Sequence, residues 1–286
     1  AVRGITARIQ DSTAKDTLKW IIAVDDRKAS FNEISYIVHK MPEWPRMTGL
    51  RARGEGMIFD QRLSSRQTLE WFKDEEPVSG EGRAALARAY FAKGDLVLGN
   101  KWLKSAWRYS KLTRDRQKTL YSEYKNRLTP DDHAARADHL IWSGRAHFGK
   151  VQGLLPLLTP PQRALMDARM RVASNRSGMD AAVSRVPTSL LSDPGLLYER
   201  ARWRRRKQSK AYALPMYTAI SAAPTSEIGK SRMWREKKLM TYWAIEEKKY
   251  DLAYKLTQHH GFERGASFAE AEFLAGWLSL EKLNNP

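Results

Sequence analysis

The chain has 286 residues, 42% of them hydrophobic and 29% charged, and carries a formal net charge of +18. It has no cysteine, which excludes disulfides and Cys-ligated metal sites, and its most apolar run, Trp20 to Val24, falls far short of the ~18 residues of a membrane span. The basic balance favours polyanionic partners (nucleic acid, an anionic membrane or an anionic wall polymer) without choosing among them.

Helix signals dominate in chain order, and no run of alternating β-branched residues or Asn-Gly turn marks a strand pair. The opening "AVRGITARIQ" lacks the apolar centre of a secretory signal, although a mature exported chain reads the same way. Ser30 with Glu33 has the spacing of a capping box and opens a helix on "FNEISYIVHK". Residues 1–80 read as helical but less regular. The stretch from Arg62 to Gly82, with Pro77, Gly80 and Gly82, is the least periodic and reads as the join to a regular array over 81–286.

Within that array small residues alternate with aromatics and then break at glycine. "ALARAYFAKGD" stops at Gly94, "ARADHLIWSGR" at Gly144, and "AIEEKKYDLAYKLTQHHG" at Gly261. Thr129-Pro130, Thr159-Pro160 and Asp193-Pro194 each place a cap before a proline at the first helical position. Ser226 and Ser267 supply two further caps. The starts at 129, 159, 193, 226 and 267 are spaced by 30, 34, 33 and 41 residues, close to the period of about 34 of a tetratricopeptide hairpin. One such hairpin cannot offset its ordering entropy of about 1–2 kcal/mol per residue, and recovers it by stacking on neighbours. The expected fold is all-α: an α-solenoid or superhelix of stacked helical hairpins, in one domain over 1–286, with no significant sheet.

The closing stretch "SFAEAEFLAGWLSLEKLNNP" reads as a helix capped by Ser267 with Glu270 and ended by Asn284, Asn285 and Pro286. At about 100° per residue, Phe273, Trp277 and Leu280 form one apolar arc and Ala271, Leu274 and Leu278 another. Apolar residues on several sides predict burial on several sides.

Few residues suggest chemistry. None of the six histidines pairs at the i, i+4 spacing of a helical zinc site, so neither a metal nor another cofactor is expected. The carboxylate groups Glu246/Glu247, Glu270/Glu272 and Asp74 with Glu75 and Glu76 have the composition of a glycoside-cleaving pair. Each also has a sufficient structural role as a cap or a solvated face. The sharpest charge run is "YERARWRRRKQSK". Arg202, Trp203, Arg205, Arg206 and Lys207 are the candidate ligand-binding residues there, with guanidinium groups for an anion and an indole as a stacking plate. The competing reading is a solvated face that complements the negative end of its helix, with Trp203 turned to the core. Of the ten tryptophans, core packing is the stronger reading for at least seven.

Four stretches carry a resemblance: "MPEWPRMTGLRARGE", "ARADHLIWSGRAHFGKVQGLLPLL", "DPGLLYERARWRRRK" and "FAEAEFLAGWLSLEKL". Together, in this order and over nearly the whole chain, they resemble the N-terminal superhelical region (U-domain) of soluble lytic murein transglycosylases. The resemblance implies a periplasmic, exported, wall-acting protein whose helical array carries a separate lysozyme-like domain at its C-terminal end. That domain cleaves between N-acetylmuramic acid and N-acetylglucosamine without adding water. Its catalytic Glu precedes a Ser, followed by a Gly-Leu-Met-Gln-type motif, and neither occurs in these 286 residues. The expectation is therefore the larger part of a superhelical domain, cut before its end, with no catalytic residue and no activity alone. Its expected partners are peptidoglycan glycan strands, the catalytic domain of the same protein and other cell-wall proteins. A standalone tetratricopeptide-like interaction module is the alternative. Nucleic acid is not expected, because no base-reading pattern repeats from hairpin to hairpin.

Overall fold

A computed structural model describes Gly4, Thr6 and residues 8 to 285. Among the described residues there are sixteen α-helices and no strand, so the fold is all-α. They fall into two compact units that divide between Thr129 and Pro130.

In the first unit the helices are α1 (Ser12–Asp25), α2 (Phe31–Lys40), α3 (Met47–Gln61), α4 (Ser65–Trp71), α5 (Gly80–Ala92), α6 (Leu96–Tyr109) and α7 (Arg114–Tyr124). Consecutive helices from α1 to α3 pack on one another, and α5 packs on α3, α4 and α6. The capping box of α2 is present. The Ser30 hydroxyl accepts from the Glu33 N–H at 3.3 Å, and the Glu33 carboxylate accepts from the Ser30 N–H at 2.7 Å. Ser64 and Gln67 make a second box at α4 that the sequence pattern did not flag. α5 and α6 fold back across Gly94, whose φ of +82° suits glycine.

Within the expected join at 62–82 lie the short helix α4 and the first residues of α5. Residues 62–64 and 72–79 are non-helical there, and the longer break is tied down by Glu55, which is fully buried on α3. Its carboxylate accepts from the Val78 N–H at 2.9 Å, from the Ser79 N–H at 2.7 Å and from the Ser79 hydroxyl. The same hydroxyl accepts from the Gly82 N–H at 2.9 Å and caps α5. Gly80 and Gly82 therefore do not break a helix but begin one. A Cβ on Gly82 would lie 2.3 Å from Glu55 Oε2, so the residue is small because the buried carboxylate passes over it.

In the second unit helices start directly after four of the five spaced cap positions, 129, 159, 193 and 226. α8 (Pro130–Ser143), α10 (Pro160–Ser174), α12 (Pro194–Lys207) and α14 (Glu227–Glu246) are long, and each is followed by a shorter partner. The partners are α9 (Phe148–Leu154), α11 (Met179–Ser184), α13 (Lys210–Thr218) and α15 (Tyr250–Thr257). Each long helix packs on the short helix that follows it, and neighbouring pairs pack through α8 with α10 and α10 with α12. Asp193 caps α12 by accepting from the Leu196 N–H at 2.8 Å, and Ser226 caps α14 by accepting from Gly229 at 3.2 Å. The core is built on Trp142, Leu197, Tyr217, Met240, Leu256 and Leu278. Burying each large aliphatic chain contributes about 1.5–3 kcal/mol. Lys237 is also fully buried there, its ammonium donating to the Gln258 carbonyl at 2.9 Å beyond the end of α15. Burial pulls its pKa down to about 8.

The last helix, α16 (Ala266–Trp277), departs from expectation in three ways. Ser267 is not its cap: Gly265 holds that position without a side-chain bond, and Ser267 lies inside the first turn. Glu270 turns instead to α14, accepting from Trp234 Nε1 at 3.1 Å and Lys238 Nζ at 3.0 Å. Burial works against its ionisation, but the Lys238 contact wins and holds its carboxyl below the usual range. The helix does not run regularly to the asparagines, since Leu278–Lys282 widen into a π-helical turn. Only one arc is buried. Ala271, Leu274 and Leu278 are at most 5% exposed, whereas Phe273 is 70% and Leu280 56% exposed.

Candidate functional site

The charge run of "YERARWRRRKQSK" falls on α12, where a 3.6-residue period places Glu199, Arg202, Trp203, Arg206 and Lys207 on adjoining positions of one face. That face borders a cavity of about 510 Å³ in the second unit. The volume lies within the roughly 300–1,000 Å³ typical of small-molecule sites. Glu199, Arg202, Arg206 and Lys207 line it from α12, Arg145 from the turn after α8, Ala173 and Asn175 from the end of α10, and Arg232 from α14. Five cations and one carboxylate thus face one space.

The cations differ in their commitments. Arg145 donates to the Ala173 carbonyl at the end of α10, and Arg232 donates to the Ser143 carbonyl at the end of α8 at 3.2 Å. Each thereby satisfies a helix-end carbonyl and offsets part of the negative end of that helix. Arg202 is more loosely held, 3.6 Å from Glu236 and 4.0 Å from Glu199. Arg206 and Lys207 are exposed and make no hydrogen bond or ion pair with the described residues.

Glu199 is only 5% exposed. Burial pushes its carboxyl above the ordinary range, against the pull of Arg169, Arg202, Arg232 and Arg145. Arg169 stands behind it, buried to 1% exposure, 2.5 Å from Asp138 and 3.8 Å from Asp193, with its guanidinium 5.3 Å over the Trp142 ring. A Cβ on Gly195 would lie 2.2 Å from that guanidinium, so the second residue of α12 is small to admit it.

Not every candidate residue shares this space. Arg205 is not at the cavity. It grips Glu236 at two points, 2.7 and 3.0 Å, and Tyr217 donates to the same carboxylate at 3.0 Å. That arrangement ties α12 and α13 to α14. Trp203 is half-buried beside a small annex of the cavity, its Nε1 donating to Asn175 Oδ1 at 2.6 Å. It neither lies flat in the open nor reaches the core. Arg145, Glu199 and Arg232 were missed as site residues. Glu199 was legible from its i, i+3 and i+7 relation to Arg202 and Arg206. Arg232 was not, because only tertiary packing brings it to residue 143.

Several of the other carboxylate candidates have structural partners. Glu75 pairs with Arg51 at 2.7 Å, Glu272 with His260 at 2.8 Å, and Glu247 lies 3.8 Å from Lys249. Of the tryptophans, Trp71, Trp107, Trp142 and Trp234 are buried and the other six half-buried. No helix of the described residues is long and apolar enough to cross a membrane. Comparison with protein-family models, with curated proteins and with solved structures gives no match.

Proposed function

We propose that this chain is the non-catalytic helical scaffold of a periplasmic peptidoglycan lytic transglycosylase, and that it holds murein glycan strands for a lysozyme-like domain of the same protein. In this reading the long-and-short helix pairs are the repeats of an α-solenoid. Its task is positioning, since contacts remote from the reacting bond serve catalysis by orientation. The observation that carries the proposal is the cavity with five facing cations, two of which, Arg206 and Lys207, have no partner among the described residues. Murein presents free carboxylates at intervals along a strand, which is the charge complement of such a surface.

The test is co-sedimentation of the chain with purified sacculi across a salt series. The screening length shortens from about 10 Å at 0.1 M to about 3 Å at 1 M salt, so retention is expected at low salt and lost at high salt. No retention at any salt, or equal retention at all, overturns the proposal.

A further inference from the structure

The basic cavity contains an element that a plain anion trap does not need: a resident carboxylate. Glu199 lines the same space as Arg145, Arg202, Arg206, Lys207 and Arg232, and the charge of the buried Arg169 acts on it as well. A compact dianion such as phosphate, drawn in by the five cations, would bring its charge against Glu199, and repulsion between like charges is strongest where water is excluded. The ligand that suits both features is bifunctional. It bears one carboxylate for the cationic rim and hydroxyl groups for the carboxyl at the wall. A hydroxyl donates to an ionised carboxylate and accepts from a protonated carboxylic acid, so it is served by either state of Glu199.

We infer that this cavity is a binding site for a carboxylated sugar, with the sugar carboxylate held by Arg206, Lys207 and Arg202 and its hydroxyls turned to Glu199. The cavity of about 510 Å³ is roomy enough for one such ring. Arg206 and Lys207 have free donors, which makes them the capture pair, while Arg145 and Arg232 are already anchored to helix ends and fix the walls. The indole of Trp203, held by Asn175, borders the annex rather than the main space, so ring stacking on it is not required. The inference rests on the reading of this cavity as the face that meets the polymer, and adds which chemical group is recognised there.

The experiment is ligand-observed NMR titration of the whole chain with three probes: glucuronate, glucose and acetate. Glucuronate is expected to bind more tightly than acetate, and glucose not measurably. Arg206→Ala, at an exposed residue without partners among the described residues, should weaken glucuronate roughly tenfold, the worth of one charge-assisted hydrogen bond. Glu199→Gln, of nearly equal shape, should strengthen acetate severalfold and so narrow the preference for glucuronate. Equal affinities for glucuronate and acetate in the wild-type chain overturn the inference in favour of a plain carboxylate site. Binding of glucuronate unchanged in Arg206→Ala also overturns it, because the sugar then sits elsewhere. Sacculus retention without glucuronate binding would sink this site and leave the scaffold proposal standing. The converse result would sink the scaffold and keep the site.

Discussion

Arg202, Arg205, Arg206 and Lys207 are neighbours in sequence with different fates. Arg205 is spent on Glu236, Arg202 is shared between Glu236 and the cavity, and Arg206 and Lys207 remain open to a ligand. Charge alone could not sort them, because a run of cations has the same composition whichever side of the helix faces its neighbours. The same holds for Gly82. It reads as a breaker in sequence, yet it is a contact residue under the Glu55 carboxylate. Gly82→Ala is therefore expected to cost about 1–3 kcal/mol in urea unfolding, since the displaced carboxylate loses buried hydrogen bonds. Gly49→Ala, in α3 with nothing within 4 Å of the added Cβ, should instead stabilise by up to about 1 kcal/mol. Lys237 supplies a pH signature. Its pKa falls from 10.5 free to about 8 folded, so between pH 8 and 10.5 the unfolded chain binds more protons and folding stability rises with pH. Thermal melts of Lys237→Met should lack that rise, and a wild-type curve matching the variant would contradict the assignment.

At the scale of the element, caps were the most legible feature. Ser30, Thr159, Asp193 and Ser226 all open helices where their spacing places them, because a side-chain cap or capping box involves only residues two or three apart. Ser267 fails because Glu270 has a better partner in Lys238, 32 residues distant along the chain. The two serines give a matched test by thermal melting. Ser30→Ala should cost about 1 kcal/mol through loss of the α2 cap, whereas Ser267→Ala, inside α16, should change stability by less than about 0.5 kcal/mol. The closing helix also shows the limit of a helical wheel. Both arcs are apolar, but only that of Ala271, Leu274 and Leu278 is fully buried, because α14 and α15 cover one side of the helix; of the other arc Trp277 alone reaches the core, at its edge.

For the whole molecule, the question is whether this chain breaks bonds or only holds them. Three of the seven acidic groups singled out from sequence are engaged by cations at hydrogen-bond distance: Glu75 by Arg51, Glu270 by Lys238, Glu272 by His260. Glu199, which only the structure brings forward, differs in kind: it is a buried acid with a raised pKa in a cavity, the environment of a catalytic acid as well as of a binding group. Zymography on murein with the chain alone is expected to show no clearing. Clearing abolished by Glu199→Gln would move catalysis into this cavity and replace the scaffold proposal.

The all-α class and the helix starts at Ser30, Thr159, Asp193 and Ser226 were legible in the sequence, because caps, prolines and a 3.6-residue period act over a few residues and need no partner. The tertiary structure alone decided which cations face a common space, that Glu199 lies among them, and which arc of α16 is buried. Those outcomes depend on residues 30 to 90 positions apart, such as Ser143 and Arg232, meeting through packed helices, and local spacing carries no information about such meetings.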